Sequence, residues 1–243
     1  MENEEMKVGI VFGGSRGIGA AAAKRLARDG FAVGLTYVSR RDRALEIVDE
    51  IVSFGGRAFA VEADSADADA IERAVEQIVA HFGRLDVVVV NAGVLRLGRV
   101  DAFTLDALDD VLSVNIRGVY VAIQRSVAHL RDGGRVITIG SNSAVRPLTP
   151  VGTVYGMSKA AVAAMVKGLA LDLAPRGIRV NNIQPGPIET DMTAGQIEHI
   201  ASMVPLGMVG RPDEVAELVS YLASPGSAYM TGSSLTIDGG MSL

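Results

Sequence analysis

The sequence predicts an α/β domain built on a doubly wound parallel sheet. Three observations point to it. Short β-branched runs alternate with longer helical patterns along the whole chain, the mark of βαβ units. The run DVVVV (Asp86–Val90) is short and, past its aspartate, wholly apolar, as expected of a strand covered on both faces. A glycine-rich segment, GGSRGIG, stands between the first strand pattern and the first helical one.

The elements follow in order. KVGIVF (Lys7–Phe12) reads as a strand, then Ile18–Arg28 as a helix. FAVGLTY (Phe31–Tyr37) is a second strand, with a helix over about Arg41–Phe54. RAFAVEA (Arg57–Ala63) is the third strand and Asp67–Phe82 a helix. Asp86–Val90 is the fourth strand. Thr104–Leu130 is helical, with a break expected near Val114–Gly118. RVITIG (Arg135–Gly140) is the fifth strand, Val154–Leu173 a helix, and IRVNNI (Ile178–Ile183) the sixth strand. Pro212–Ala223 is a helix with proline in its first turn. SLTI (Ser234–Ile237) closes the count at seven strands. No repeat, low-complexity tract or linker interrupts residues 1–243, so one domain is expected. The long connection Gln184–Arg211 carries PGP and scattered methionines; it reads as a lid over about 185–211 or as a variable surface loop.

Composition bounds the function. The 243 residues are 49% hydrophobic, enough for a core without staples. Net charge is −5 with the signs interspersed, and no basic stripe argues for nucleic acid. With no cysteine there is neither disulfide nor thiolate metal site, which suits a reducing cytoplasm. His81, His129 and His199 are far apart, so no metal is expected. The start MENEEMK is acidic and unlike a signal peptide, and apolar runs such as Val87–Val90 are too short to span a membrane.

Two motifs carry chemistry. GGSRGIG (Gly13–Gly19) follows a strand and opens a helix, the context of a Rossmann-type dinucleotide site. Its glycines let backbone approach a pyrophosphate, and the helix offers free N–H groups. Tyr155 and Lys159 lie four apart in a helical pattern, so they share a face. An ammonium beside a phenol favours the phenolate, and the pair would exchange a proton with a carbonyl or alcohol. Charge bears on the cofactor. An acid at the end of the second strand would favour NAD(H); Tyr37 stands there instead, followed by Val38, Ser39, Arg40 and Arg41, with Arg16 in the glycine loop. Arginines attract a 2′-phosphate, so NADP(H) is preferred, with NAD(H) possible. Arg40 and Arg41 also fit a solvated helix start.

Together the spacing G-x-x-x-G-I-G, the NAG of Asn91–Gly93, Asn115 in NIRG, Ser141 upstream of Tyr155-x-x-x-Lys159, PGP, Thr190 and IDGG resemble the short-chain dehydrogenase/reductase family over nearly the whole chain. The resemblance implies Tyr155 as general acid or base and Lys159 as the group that lowers its pKa and bonds the nicotinamide ribose. It implies Ser141 as hydrogen-bond donor to the substrate oxygen, stabilising charge there, and Asn115 as holder of a proton-relay water. It places Gly13, Ser15, Arg16, Gly17, Ile18 and Gly19 around the diphosphate. Tyr37, Ser39 and Arg40 would flank the adenosine ribose, and Asp64 and Ser65 the adenine edge. Asn91, Ala92 and Gly93 would sit by the ribose, with Pro185, Gly186, Ile188 and Thr190 near the nicotinamide. A homotetramer or homodimer is implied as well.

Three departures stand out. Phe12 replaces a usual threonine, removing a hydrogen bond that braces the glycine loop. Val90 replaces one asparagine of the usual NNAG. Ser141 precedes Tyr155 by fourteen residues, one more than is usual, so Ser143 competes for its role and Asn142 occupies the usual spacing.

The expected activity is the interconversion of a carbonyl and an alcohol by hydride transfer. The alternatives are a non-catalytic nucleotide-binding or regulatory protein on the same fold, a 3-oxoacyl-carrier-protein reductase, and a sugar or polyol dehydrogenase. For substrate, Leu95, Val145, Leu148, Met192, Met203 and Met208 line an apolar pocket or pack as ordinary core. Arg96 and Arg146 are candidates for an anionic substrate, and Arg125, Arg131 and Arg176 for an acidic carrier.

Overall fold

The structure, a computed structural model, describes residues 6–147, 150–191 and 193–243. Leu148 and Met192, two of the pocket candidates, lie outside the described residues, as does the acidic start. Seven strands form one parallel sheet: β1 (Val8–Phe12), β2 (Ala32–Tyr37), β3 (Arg57–Glu62), β4 (Leu85–Val90), β5 (Leu130–Ile139), β6 (Arg179–Pro185) and β7 (Ser234–Ile237). Their order is β3-β2-β1-β4-β5-β6-β7. The chain winds one way from β1 to β3 and the other way from β4 to β7. The reversal between β1 and β4 leaves a crevice at their C-terminal ends, where ligands of open α/β sheets bind.

Helices cover both faces: α1 (Gly17–Arg28), α2 (Arg41–Ser53), α3 (Ala68–Phe82), α4 (Leu105–Leu112), α5 (Val119–Val127), α6 (Thr153–Leu173), α7 (Ile197–Ala201) and α8 (Pro212–Ala223). Alternate strand residues split between two cores, as the two-residue period demands. Val8, Ile10, Phe12, Val88, Val90 and Val136 pack with residues of α3, α5 and α6. Val11, Val87, Val89, Ile137 and Ile139 pack with α1, α2 and α8. Each such side chain contributes about 1.5–3 kcal/mol by leaving water. Local chemistry sets the ends. Asp67 caps α3, accepting from the N–H groups of Asp69 and Ala70 at 2.9 and 3.2 Å, and Gly83 closes it in the left-handed conformation. Pro212 opens α8, and Glu214 accepts from the Arg211 N–H at 2.7 Å.

Four expectations are corrected. The helix over Thr104–Leu130 is not broken: α4 passes into α5 through a π-helical segment, Ser113–Gly118, which keeps the backbone helical while shifting its register. It ends at Val127, and Leu130 already pairs with Leu85 in the sheet. The strand expected over Arg135–Gly140 is therefore longer at its start, with a register shift opposite Leu85–Val87. The connection after β6 is not wholly irregular, since it holds α7 and a bridge between Ile188 and Gly210. Finally, Thr153–Arg176 is long and apolar enough to cross a membrane by length and composition. It is the sheet-packed helix α6, with Val162, Val166 and Ala170 in the core and an outer face that exposes Met157 and Leu171.

Candidate active site

The glycine loop lies in the β1/β4 crevice and is held from both neighbours. The Gly13 N–H donates to Thr36 Oγ1 at 3.0 Å, and the Gly14 N–H to the Thr36 carbonyl at 2.9 Å. From β4, Asn91 Nδ2 donates to the Gly13 carbonyl at 2.8 Å, while the N–H groups of Asn91 and Ala92 donate to the Phe12 carbonyl. Phe12 itself is buried in the core, so Thr36 supplies a brace where a threonine at position 12 is missing. Thr36 was not singled out from the sequence; its signal was a lone polar side chain inside an apolar strand.

Glycine is required here. Gly13 has φ +75°, and a Cβ on it would stand 3.0 Å from Ala92 Cα. A Cβ on Gly19 would stand 2.1 Å from the Gly13 carbonyl oxygen. At the N-terminus of α1, Arg16 makes no side-chain cap, and no acid occupies the first turn. The N–H groups there are free of a protein carboxylate, which fits a diphosphate. Gly17 lies against the connection after β6: a Cβ on it would be 3.1 Å from Thr190 Cγ2.

The cations expected beside a 2′-phosphate are exposed and partnered. Arg40 forms a two-pronged pair with Asp42, at 3.1 and 2.8 Å, which holds the Asp42 carboxyl at about 2 and raises the guanidinium further. Arg16 lies 3.6 Å from Asp191 of the connection after β6. Ser39 and Arg41 face solvent. Tyr37 is buried in the core beside α1 and α2, while Ser39 and Arg40 are exposed just beyond this strand end. Asp64 is exposed and accepts from the Ala66 N–H at 2.8 Å, whereas Ser65 is buried against Gly118. Pro185 and Ile188 are buried at the end of β6 and just beyond it, followed by Thr190, whose N–H donates to Thr193 Oγ1 at 3.1 Å.

The four catalytic candidates converge. Ser141, buried at the end of β5, caps a short 3-10 turn (Asn142–Ala144) by accepting from the Ser143 N–H at 3.1 Å. It lies close enough to Tyr155 on α6 to pull the phenol's pKa down, an effect that Ser143 does not share. The extra residue before Tyr155 is absorbed in the intervening loop. Asn142 points elsewhere, donating to Asp238 at 3.2 Å. Lys159 is buried with its Nζ donating to the Ile139 carbonyl at 3.0 Å and standing 5.7 Å from the centre of the Tyr155 ring. Gly93 lets it approach: a Cβ there would be 3.3 Å from Nζ and 3.4 Å from Asn115 Oδ1.

The electrostatics differ from expectation in one respect. Burial pushes the Tyr155 phenol up, and only the Ser141 hydrogen bond pulls it back part of the way. The Lys159 ammonium is aimed at the Ile139 carbonyl and stands beside the Tyr155 ring. Burial drives Lys159 down to about 8. The phenol thus keeps its proton at neutral pH, as a general acid must.

Asn115 lies within the π segment, fully buried. Its Oδ1 accepts from the Val94 N–H at 2.8 Å, and Nδ2 donates to the Val94 carbonyl at 2.9 Å and to Ser158 Oγ at 3.1 Å. Ser158 in turn donates to the Tyr155 carbonyl at 2.7 Å. Both amide protons are spent on protein, so the side chain first ties the β4 loop to α6.

Of the expected pocket residues, Val145, Met203 and Met208 are about half exposed, at 57%, 50% and 49%, so they are not core. The arginines proposed for anions are mostly engaged: Arg96 with Asp110, Arg146 with the Leu243 carbonyl, Arg125 with Glu72 and Arg176 with Asp132.

The chain matches, over residues 13–242, a family profile described as enoyl-(acyl carrier protein) reductase. A solved short-chain dehydrogenase/reductase from Serratia marcescens is 49% identical, with 98% of each chain covered and a TM-score of 0.95. A short-chain dehydrogenase from Burkholderia cenocepacia, solved with NADP, is 44% identical over 99% of this chain and 100% of that one, with a TM-score of 0.95. Versicolorin reductase of Emericella nidulans is 39% identical over 250 residues, 96% of this chain and 95% of the relative.

Lys159 carries its charge below about pH 8 and loses it above. The kcat/KM for the cofactor, which reports ionisations of the free protein, is expected to fall as pH rises through about 8. A profile flat across that range removes the Lys159 charge from the mechanism.

Proposed function

The chain belongs to the short-chain dehydrogenase/reductase family, and we propose that it reduces a bulky apolar ketone or aldehyde to the alcohol with NADPH. The observation that carries this reading is the buried Lys159 ammonium, 5.7 Å from the centre of the Tyr155 ring, with Ser141 near enough to lower the phenol's pKa. Two neighbouring hydroxyls would offer one carbonyl oxygen a hydrogen bond and a proton. Ser141 donates to the oxygen and stabilises the negative charge that develops there. Tyr155 delivers its proton to that oxygen, and Lys159 offsets the phenolate that remains. The nicotinamide, when bound, supplies the hydride to the carbonyl carbon. Asn115 holds the β4 loop against α6, which keeps Lys159 and Tyr155 in register.

NADPH is supported by charge. Arg16, Arg40 and Arg41 surround the end of β2, where no carboxylate takes the place of Tyr37. The Burkholderia relative was solved with NADP. The apolar substrate is supported by the half-exposed Val145, Met203 and Met208, and by a relative named for reducing versicolorin.

A carbonyl panel read by cofactor absorbance with NADPH and NADH tests the reading. Tyr155→Phe is expected to lower kcat by at least about 10²–10⁴-fold with NADPH affinity unchanged; full turnover would sink the assignment. Arg40→Asp places a carboxylate where a phosphate would lie. It should cut kcat/KM for NADPH by about ten- to hundredfold relative to NADH. An unchanged ratio removes Arg40 from phosphate recognition. We further propose a homotetramer or homodimer through the apolar outer faces of α6 and the α4–α5 helix, where Met157, Leu171, Leu105 and Tyr120 are exposed. Light scattering should give a multiple of the 25.4 kDa chain mass, and a monomer at assay concentration would refute it.

A further inference from the structure

The turn that carries Ser141 is tied to the end of the chain. Asn142, its buried neighbour, donates from Nδ2 to Asp238 Oδ2 at 3.2 Å across 96 residues of sequence. Beyond the turn, Arg146 donates to the Leu243 carbonyl. Asp238 is the knot of the terminal segment. Its Oδ1 accepts from the Gly240 N–H at 3.0 Å, and its Oδ2 from the Ser242 N–H at 2.8 Å and the Ser242 hydroxyl. Burial pushes this carboxyl up, but the bonds from Ser242, Asn142 and the backbone more than offset it and leave it below the ordinary range.

The same segment carries the lid. Gly239 has φ +64°, and a Cβ on it would stand 2.6 Å from Val204 Cγ1. The Leu206 N–H donates to the Gly239 carbonyl at 3.2 Å. At the lid's other root, the Gly186 N–H donates to the Ile237 carbonyl at 2.9 Å, and a Cβ on Gly186 would stand 2.5 Å from Asp238 Cβ. The first root of the lid therefore bears on Asp238 and its Val204–Leu206 stretch on the adjoining Gly239, while Asp238 bears on the residue beside Ser141.

We infer that Asp238 is a positioning residue that couples the lid to the Ser141 hydroxyl. The turn at Ser141 is rigid, because the Ala144 N–H donates to the Ser141 carbonyl at 3.0 Å and the Val145 N–H to the Asn142 carbonyl at 2.9 Å. A shift at Asn142 must then re-aim Ser141 rather than be absorbed locally. Seating of an apolar substrate under the lid sets the donor geometry through Asp238. This rests on the reading of Ser141 as donor to the substrate oxygen.

The test is Asp238→Asn in the full chain, with NADPH and the best carbonyl of the panel. The amide keeps the shape but loses the charge that holds Asn142 and Ser242. The expected result is a kcat lowered about ten- to hundredfold, with NADPH affinity by fluorescence titration unchanged. In a Ser141→Ala background the same change should cost nothing further, since its effect passes through a hydroxyl already gone. Asn142→Ser removes the bond from its other end; it should repeat the pattern, and carries the test if the first variant does not fold. An equal loss of kcat in both backgrounds overturns the inference, as does unchanged kcat in both single variants. Full activity of Ser141→Ala would instead overturn the assignment of Ser141 itself.

Discussion

The reversal of winding between β1 and β4 is the constraint on which this site depends. Strands on either side lead their connections away in opposite directions, so nothing in the sheet fills the space above Phe12 and Val90. Backbone polar groups left there need partners. Asn91 supplies them, with its side chain on the Gly13 carbonyl and its N–H on the Phe12 carbonyl. Thr36 supplies the rest from β2. The glycine loop is thus rigid before any ligand arrives, and the N-terminus of α1 is left open for an anion.

The chemistry at the other wall uses the cost of burial. A lysine with no carboxylate partner, enclosed beneath α6, would rather be neutral, and its pKa falls to about 8. The carbonyl of Ile139 offsets part of that cost and fixes where the ammonium points. Burial acts on Tyr155 in the opposite sense and keeps its proton on. Low dielectric therefore prepares an acid and a nearby cation without a direct ion pair between them. The π-helical segment at Asn115 belongs to the same arrangement: it turns a buried amide toward Val94 and Ser158, joining the loop after β4 to the helix of Tyr155.

Much of this was legible in the sequence, for local reasons. Strand and helix alternation, the buried run at Val87–Val90 and Pro212 gave elements close to those found, because each follows from side-chain period or fixed φ. The glycines of the loop were legible because positive φ and close approach tolerate little else. The burial of Tyr37 was not legible, because strand-end position says nothing about whether a side chain turns into the core. The break expected near Val114 was real as a site but wrong as a gap, since a π segment has no distinct composition. Thr36 went unnoticed, and Asp238 within IDGG was given no role, because their partners lie 23 and 96 residues away.

By itself the sequence determined the class of fold, the glycine turn after β1 and the candidate groups for proton transfer, because spacing along one helix or one turn is a local property. Only the tertiary structure decided where the Lys159 ammonium points and how the segment after β7 grips the Ser141 turn. Those depend on burial and on contacts between segments distant in sequence. Their energies come from water excluded by the assembled sheet, which no local pattern encodes.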